Sequence, residues 1–568
     1  MTSFDLGTHS LTITTVSPDA QYWFDQGLNW RFGFNKEESV KCFQNALNYD
    51  SDCAMAHWGV AYAVGPFYNL TWSEYGEQEA NTCTRIACDH LLKARSTSQP
   101  MRPLEVELIA ALSARYQKPH VVTVQEFARW EDDYAAAMRR VFYSFPNDHD
   151  VMALLVEALL MRTPRRLWDL KTGLPAPGSD IREALSICER SMAMSTSAGE
   201  DPHPAIAHLH IHALEMSSEP ERAMFSADVL STLSPDSGHM NHMPGHIYVL
   251  CGQYERAKLA SEAAIRANDK FLDYAGPFTF YTVACCHDLH LMMHTCMLMG
   301  RYSDAIRTAN KLCNLLNREV LSVKDRPKFT MSLEGYYSMK SHVLVRFGKW
   351  REIIEDPLPG DPDLYLVTTA MQHYAKGIAH ASLKQFDDAE LERKRFYHSL
   401  ERIPPERRFF NNWARDILAV GALMLEGEVE YHKGNYDIAF KYLRESVARD
   451  DRLEYIEPWA WMHPPRHALA ALLLEQGEYH EAEDIYRDDL GLSGRIQRCA
   501  QHPNNVWALH GLVECLRWRN HQAELEIFEP ILETALQQAD VPITSSCMCR
   551  TKVSATLAPV TSPGDCCR

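Results

Sequence analysis

The sequence predicts an all-α chain wound as a superhelical solenoid of about eight or nine helix pairs, and three observations carry that expectation. At 568 residues the chain is too long for one hydrophobic core, so it must split into domains or repeat a small unit. The phrase Gly-x-Tyr-x-x-Ala recurs at Gly252 (GQYERA), Gly300 (GRYSDA), Gly434 (GNYDIA) and Gly477 (GEYHEA). Around the first of these, Gly245, Tyr248, Gly252, Tyr254, Ala257 and Ala264 alternate small and large residues at helical spacing. That alternation suits two antiparallel helices, whose close crossing needs small side chains flanked by aromatic and aliphatic ones.

The pattern resembles the tetratricopeptide repeat, a unit of roughly 34 residues. In residues 1–69, Gly27, Ser39, Phe43 and Ala46 fit N-terminal helical repeats. Residues 70–202 fit poorly, and the prolines and tryptophan of MRTPRRLWDLKTGLPAPGSD predict an irregular helical insertion with a long loop. Residues 203–315 hold three histidine-rich repeats anchored on Ala223, Ala257 and Ala305. Residues 316–540 return to C-terminal repeats, marked by Gly377, Phe386, Ala389, Trp507, Gly511 and Ala523. Residues 541–568 show no helical period and predict a flexible tail.

Composition narrows the partners. Hydrophobic residues at 46% and charged residues at 23% suit a soluble globular protein, and no run of about 18 apolar residues offers a membrane span. With 57 basic against 75 acidic side chains, the net charge of −18 disfavours nucleic acid as a partner. The first residues, MTSFDLGTHSLTITT, lack a secretory signal, so cytoplasmic residence is expected. The 16 cysteines show no CxxC framework, and free thiols are expected. Cys547 and Cys549 have the thiolates to close over a soft metal, although a free tail is the plainer expectation.

Ten of the 26 histidines lie between His203 and His294. His208 with His212, His242 with His246, and His290 with His294 take the same two places, four residues apart, in three successive units. His239 and His287 precede the second and third pairs by the same interval. Residues four apart share a helix face, and two imidazoles there reach one first-row ion at about 2.0–2.1 Å. Neighbouring solenoid helices, with axes about 8–10 Å apart, can complete the shell. One histidine on a helix face is ordinarily structural; the threefold repetition is what points to metal, with a histidine-lined peptide or small-molecule groove, or no specific role, as the alternatives. Imidazole and carboxylate suit copper, iron or zinc, as one or two ions. Pro244 is expected in the first turn of its helix, where its missing N–H goes unused.

The resemblance to tetratricopeptide repeats implies that these histidines line the concave groove where that family binds ligands. Glu215, beside His212, and Glu157 would add carboxylates to that surface, and Tyr248 a phenol. The segments CAMAHWGVAYAVGPFYN, AHLHIHALE, HMNHMPGHIY and EPWAWMHPPRHALAALLLEQGEYHEAEDIYRDDL further resemble a group of such proteins in bacteria and filamentous fungi. Its hallmark is a His-Met-Pro-x-His-Ile core, here His242, Met243, Pro244, His246 and Ile247. In CCHDLHLMMH, Asp288 stands where the group has an amide, a change beside the ligands. Fungal members resemble proteins encoded beside natural-product enzymes, which implies a tailoring reaction on a small molecule.

These readings converge on a metal-dependent enzyme, an oxidoreductase before a hydrolase. The ligands would come from His208, His212, His239, His242, His246, His287, His290 and His294, and the catalytic groups from Glu157, Glu215 and Tyr248. The rival is a non-catalytic adaptor for a peptide or protein partner. Carboxylate-binding adaptors of this fold present Lys, Arg and Asn inward, whereas this chain presents histidine. Arg466 and His467 are further candidates for holding an anion.

Overall fold

The computed structural model describes residues 4–323 and 327–550. Helices follow one another in pairs, from Pro18–Phe32 with Lys36–Tyr49 to Val506–Trp518 with Gln522–Gln538, and the fold is an all-α tetratricopeptide-like solenoid. Among the described residues the extended structure is a two-residue hairpin, Arg408–Phe409 with Asn412–Trp413, and isolated bridges. No helix among them is long and apolar enough to cross a membrane.

The repeated phrase has a physical explanation at each place. Gly252, Gly300, Gly434 and Gly477 all have positive φ, between 68° and 91°. At the first, the N–H of Gly252 reaches Val249 O at 3.0 Å and that of Gln253 reaches Tyr248 O at 2.8 Å, the paired bonds that close a helix on a left-handed glycine. The alanines of the phrase, Ala257, Ala305, Ala439 and Ala482, are fully buried. The upstream glycines mark close approach: a Cβ on Gly27 would stand 2.8 Å from the Phe43 ring, and one on Gly245 would stand 2.8 Å from Leu291.

Residues 70–202 contain Glu77–Arg95, Pro103–Leu112, Val124–Ser144, His149–Leu160 and Ile181–Ala198. The connection across residues 161–180 is pinned where Trp168 Nε1 donates to Ala213 O at 2.7 Å and Arg165 donates to Asn69 O at 2.8 Å. Buried ion pairs, Arg115 with Glu131 and Arg31 with Glu157, tie these helices inward.

The solenoid also touches itself far along the chain. Tyr254 Oη donates to Pro503 O at 2.7 Å, and Trp507 Nε1 donates to Met297 O at 2.7 Å. Residues 541–550, the start of the expected tail, dock on the repeats with Ile543, Cys547 and Cys549 buried. Arg550 donates to both carboxylate oxygens of Glu514, at 2.8 and 2.9 Å. The rest of the expected tail, 551–568, lies outside the described residues.

Candidate metal centre

Three neighbouring helices supply the histidines: Pro204–Leu214, Gly238–Leu250 and Thr282–Met299. The second begins earlier than its proline suggests. Pro244 is inside the helix and not in its first turn, so the helix interior lacks one N–H donor. The lead-in holds because Asn241 Nδ2 donates to Ser234 O, Pro235 O and Ser237 O at 2.9–3.1 Å, and His239 N donates to Tyr281 Oη at 3.0 Å. This early start makes His239 helical and turns it toward the first helix.

Six histidines gather into two trios, His208–His212–His239 and His242–His246–His287, and within each the ligand atoms lie within 4.8 Å of one another. His208 Nε2 stands 3.0 Å from His239 Nε2, and His242 Nε2 stands 2.6 Å from His246 Nε2. Two nitrogens on one ion at about 2.05 Å and near-right or tetrahedral angles are separated by about 2.9–3.4 Å. The first pair already meets that spacing, and the second needs to open by about 0.3 Å.

The groups behind the rings fix which nitrogen faces inward. His208 Nδ1 donates to Phe32 O at 2.8 Å, His212 Nδ1 to one Glu215 oxygen at 2.9 Å, and His246 Nδ1 to the other at 2.5 Å. Carbonyl and carboxylate oxygens only accept, so these three Nδ1 atoms carry the protons and the Nε2 lone pairs point into the trios. His212 Nε2 is buried with no partner among the described residues. His242 Nδ1 lies 3.1 Å from Asp288 Oδ1, in ion-pair range but off hydrogen-bond alignment. Asn268 donates to the other Asp288 oxygen at 2.6 Å.

Electrostatics favour the ligand form at five of the six rings. Burial, reinforced by neighbouring histidines, holds His208, His239 and His242 well below the ordinary imidazole value and brings His287 down to about 3. Burial also lowers His212. His246 goes the other way, because Glu215 outweighs its burial. Burial pushes Glu215 up, but His212 and His246 bring it down to about 2. Glu457, within ligand distance of Glu215 and His246, is raised to about 8 by burial and then by Glu215.

The other expected residues lie elsewhere. His290 stacks on Phe410, with ring centroids 5.1 Å apart and planes 9° apart, and His294 faces His502 at 5.8 Å; neither joins a trio. Glu157 pairs with Arg31 at 2.9 Å and accepts the Tyr62 hydroxyl. Tyr248 donates to Asp228 at 2.9 Å under the Arg256 guanidinium, away from the trios. Arg466 pairs with Asp451 and His467 with Asp489, each at 2.7 Å.

The concave surface expected around the histidines is filled by the chain itself. Phe34 lies against His208, His212 and His239 at centroid distances of 4.5–5.7 Å, and Tyr68 against His212 at 4.6 Å. A cavity of about 10 Å³, room for about one water, adjoins His208, Arg31, Tyr62 and Glu157.

Sequence reading does not single out Glu457, Phe34 or a third cluster, His9–Asp150–His203. In that cluster His203 Nδ1 accepts the Ala205 N–H at 3.1 Å, so its proton sits on Nε2 and goes to Asp150 Oδ1, also at 3.1 Å. This is the reverse of the trios. It caps a helix and ties down residue 9 through His9 Nε2, 3.0 Å from the same oxygen, and both His203 nitrogens are engaged in hydrogen bonds.

No family model matches the chain, and no curated protein matches it. Solved structures similar to it include the APC/C hetero-tetramer Cut9-Hcn1, at 12% identity over 89% of this chain and 78% of that one, with a TM-score of 0.28. Another is the human IFIT1 dimer with m7Gppp-AAAA, at 10% identity over 93% and 92%, with a TM-score of 0.30. At these scores neither likeness bears on the histidine site.

Proposed function

We propose that the protein is a helical-repeat scaffold for two buried transition-metal ions and works as an oxidoreductase. One ion would sit on His208, His212 and His239, the other on His242, His246 and His287. The observation that carries this is the tautomer lock: Phe32 O and the two oxygens of Glu215 accept from the outer nitrogens, which keeps the protons there and turns three lone pairs inward, one of them buried without a partner. Copper or iron would supply one-electron chemistry there, and imidazole ligands suit both. The one-water space beside His208 favours an electron or a very small oxidant over a bulky substrate. A tailoring reaction on a natural product would require Phe34 and Tyr68 to move aside. Metal analysis of untagged, chelator-free protein tests the proposal. Two ions per chain are expected, with one lost in a His242→Ala, His246→Ala variant; substoichiometric metal in the native protein sinks it.

A second reading, a non-catalytic adaptor for a peptide or protein partner, draws on an open cleft of about 580 Å³ lined by Trp23, Lys41, Leu47 and Tyr274, with no histidine in its lining. Peptide binding that persists in chelated protein and disappears in a Trp23→Ala, Tyr274→Ala variant would favour it.

A further inference from the structure

Phe34 and Tyr68 cover the histidine trios, so an ion held there exchanges electrons through packed protein. One side chain beside them is suited to that task. Tyr62, on the helix Ala54–Val64, lines the same one-water cavity as His208, Phe34, Arg31 and Glu157. Its hydroxyl donates to Glu157 Oε2, while Arg31 Nη2 donates to Glu157 Oε1 at 2.9 Å and to Pro66 O at 3.0 Å. One carboxylate thus holds the phenol proton on one oxygen and the guanidinium on the other, and all three groups are buried.

A phenol that loses an electron becomes a very strong acid, so the electron leaves readily only where a base stands ready for the proton. At Tyr62 the base is in place. Arg31 Cζ lies 4.3 Å from the centre of the Tyr62 ring, and its positive charge penalises a ring cation, so electron and proton must leave together. Burial, and then Glu157, hold the phenol far above its ordinary value, so the proton does not leave alone. Trp58 stacks on Tyr62 with centroids 5.0 Å apart and planes 20° apart, which puts a second oxidisable ring against the first. The rival tyrosines lack the base. Tyr68 lies against His212, but its oxygen accepts the Arg165 N–H at 3.3 Å and donates to no base among the described residues. Tyr281 Oη accepts the His239 N–H at 3.0 Å and is likewise without a base there.

We propose that Tyr62 is a redox-active tyrosine that passes one electron between the protein surface and the ion on His208, His212 and His239, its proton moving to Glu157 and back. The ion's part rests on the metal reading above; the tyrosine's part does not. A one-electron oxidant at the surface draws an electron from Tyr62 through the packed protein, and the hydroxyl proton passes to Glu157 Oε2. This leaves a neutral tyrosyl radical and a neutral carboxylic acid. An iron(II) ion on the trio then returns an electron to the ring and becomes iron(III), and Glu157 returns the proton. The net change is one electron from iron to oxidant, with Tyr62 and Glu157 restored.

Pulse radiolysis of the full chain with azide radicals, which become azide ions as they oxidise surface aromatic rings, tests the two parts separately. In chelated protein a tyrosyl radical, followed by its absorption, should outlast the first surface radicals and form more slowly in D₂O. Tyr62→Phe should abolish it and Tyr68→Phe should keep it. Glu157→Gln should abolish it and Glu157→Asp should retain part of it, in proteins of unchanged circular dichroism. A long-lived radical that survives Tyr62→Phe overturns the proposal. In protein shown by metal analysis to carry iron(II), the long-lived radical should be lost, because the ion fills it, and should return in His208→Ala. The same lifetime in loaded and chelated protein overturns the relay to the ion. Failure to take up iron overturns the metal reading and the relay with it, while the chelated arm decides Tyr62 by itself.

Discussion

Replacing Glu215 with glutamine is the sharpest probe of the centre, because one carboxylate serves both trios. In the native protein each oxygen accepts a proton-bearing Nδ1, from His212 at 2.9 Å and from His246 at 2.5 Å. A glutamine keeps one acceptor oxygen and turns an NH₂ toward the other imidazole. That ring must then flip its tautomer and lose its inward lone pair, or face a donor with a donor. Loss of such a partner behind a ligating histidine weakens metal binding about 10–100-fold, equivalent to about 1.4–2.7 kcal/mol per ion. Because the amide oxygen can satisfy only one ring at a time, the ion behind the other ring should weaken. Cobalt(II) or zinc(II) affinity, read by competition with a chromophoric chelator, gives the two constants, and thermal unfolding of the chelated protein checks the fold. Native affinity at both sites in a folded Glu215→Gln protein would refute the tautomer argument.

The trio membership is separately testable: His239→Ala and His287→Ala should each lose one ion, whereas His290→Ala and His294→Ala should keep both, as read by elemental analysis. For chelated protein, His208, His239, His242 and His287 have folded values below the ordinary imidazole value of about 6.5, so the unfolded chain takes protons that the folded one refuses. Stability is therefore full above about pH 6.5 and falls below it, by about 1.4 kcal/mol per pH unit for each group, with His246 opposing; urea midpoints at pH 7.5 and 5.5 measure the slope. Asp150 carries a linkage of the same sign at lower pH, since burial is outweighed by His203 and His9 and its folded value is depressed: its stabilisation is present above the ordinary carboxylate value and is lost as pH falls through the folded one. Asp150→Asn should flatten that acid limb. Gly245→Val drives a side chain into Leu291 and should cost about 1–3 kcal/mol, measured by chemical denaturation.

The solenoid was legible because its crossings and turns admit few residue types. Only glycine suits the left-handed turn at Gly252 or the space beside Leu291, and only a small side chain suits the place of Ala257. Histidine pairs four apart were legible for the same local reason. Which third histidine completes each pair was not, since His239 and His287 act across helices rather than along one. His208 is oriented by a carbonyl 176 residues away, at Phe32, and no local spacing encodes that. The helices of residues 70–202 escaped the spacing because their tertiary ties include ion pairs such as Arg115 with Glu131, which leave no periodic small-residue signature.

The self-contact between Tyr254 and Pro503 can form only once residue 503 has been made. In an open array each repeat rests on its neighbours and the chain can set as it is made. Here the turn after the second histidine helix waits for a carbonyl 249 residues downstream. At synthesis rates of about 5–20 residues per second that delay is about 12–50 s. During it the histidine helices already have Phe34 and Tyr68 against them but lack Glu457, the carboxyl that closes on Glu215 and His246.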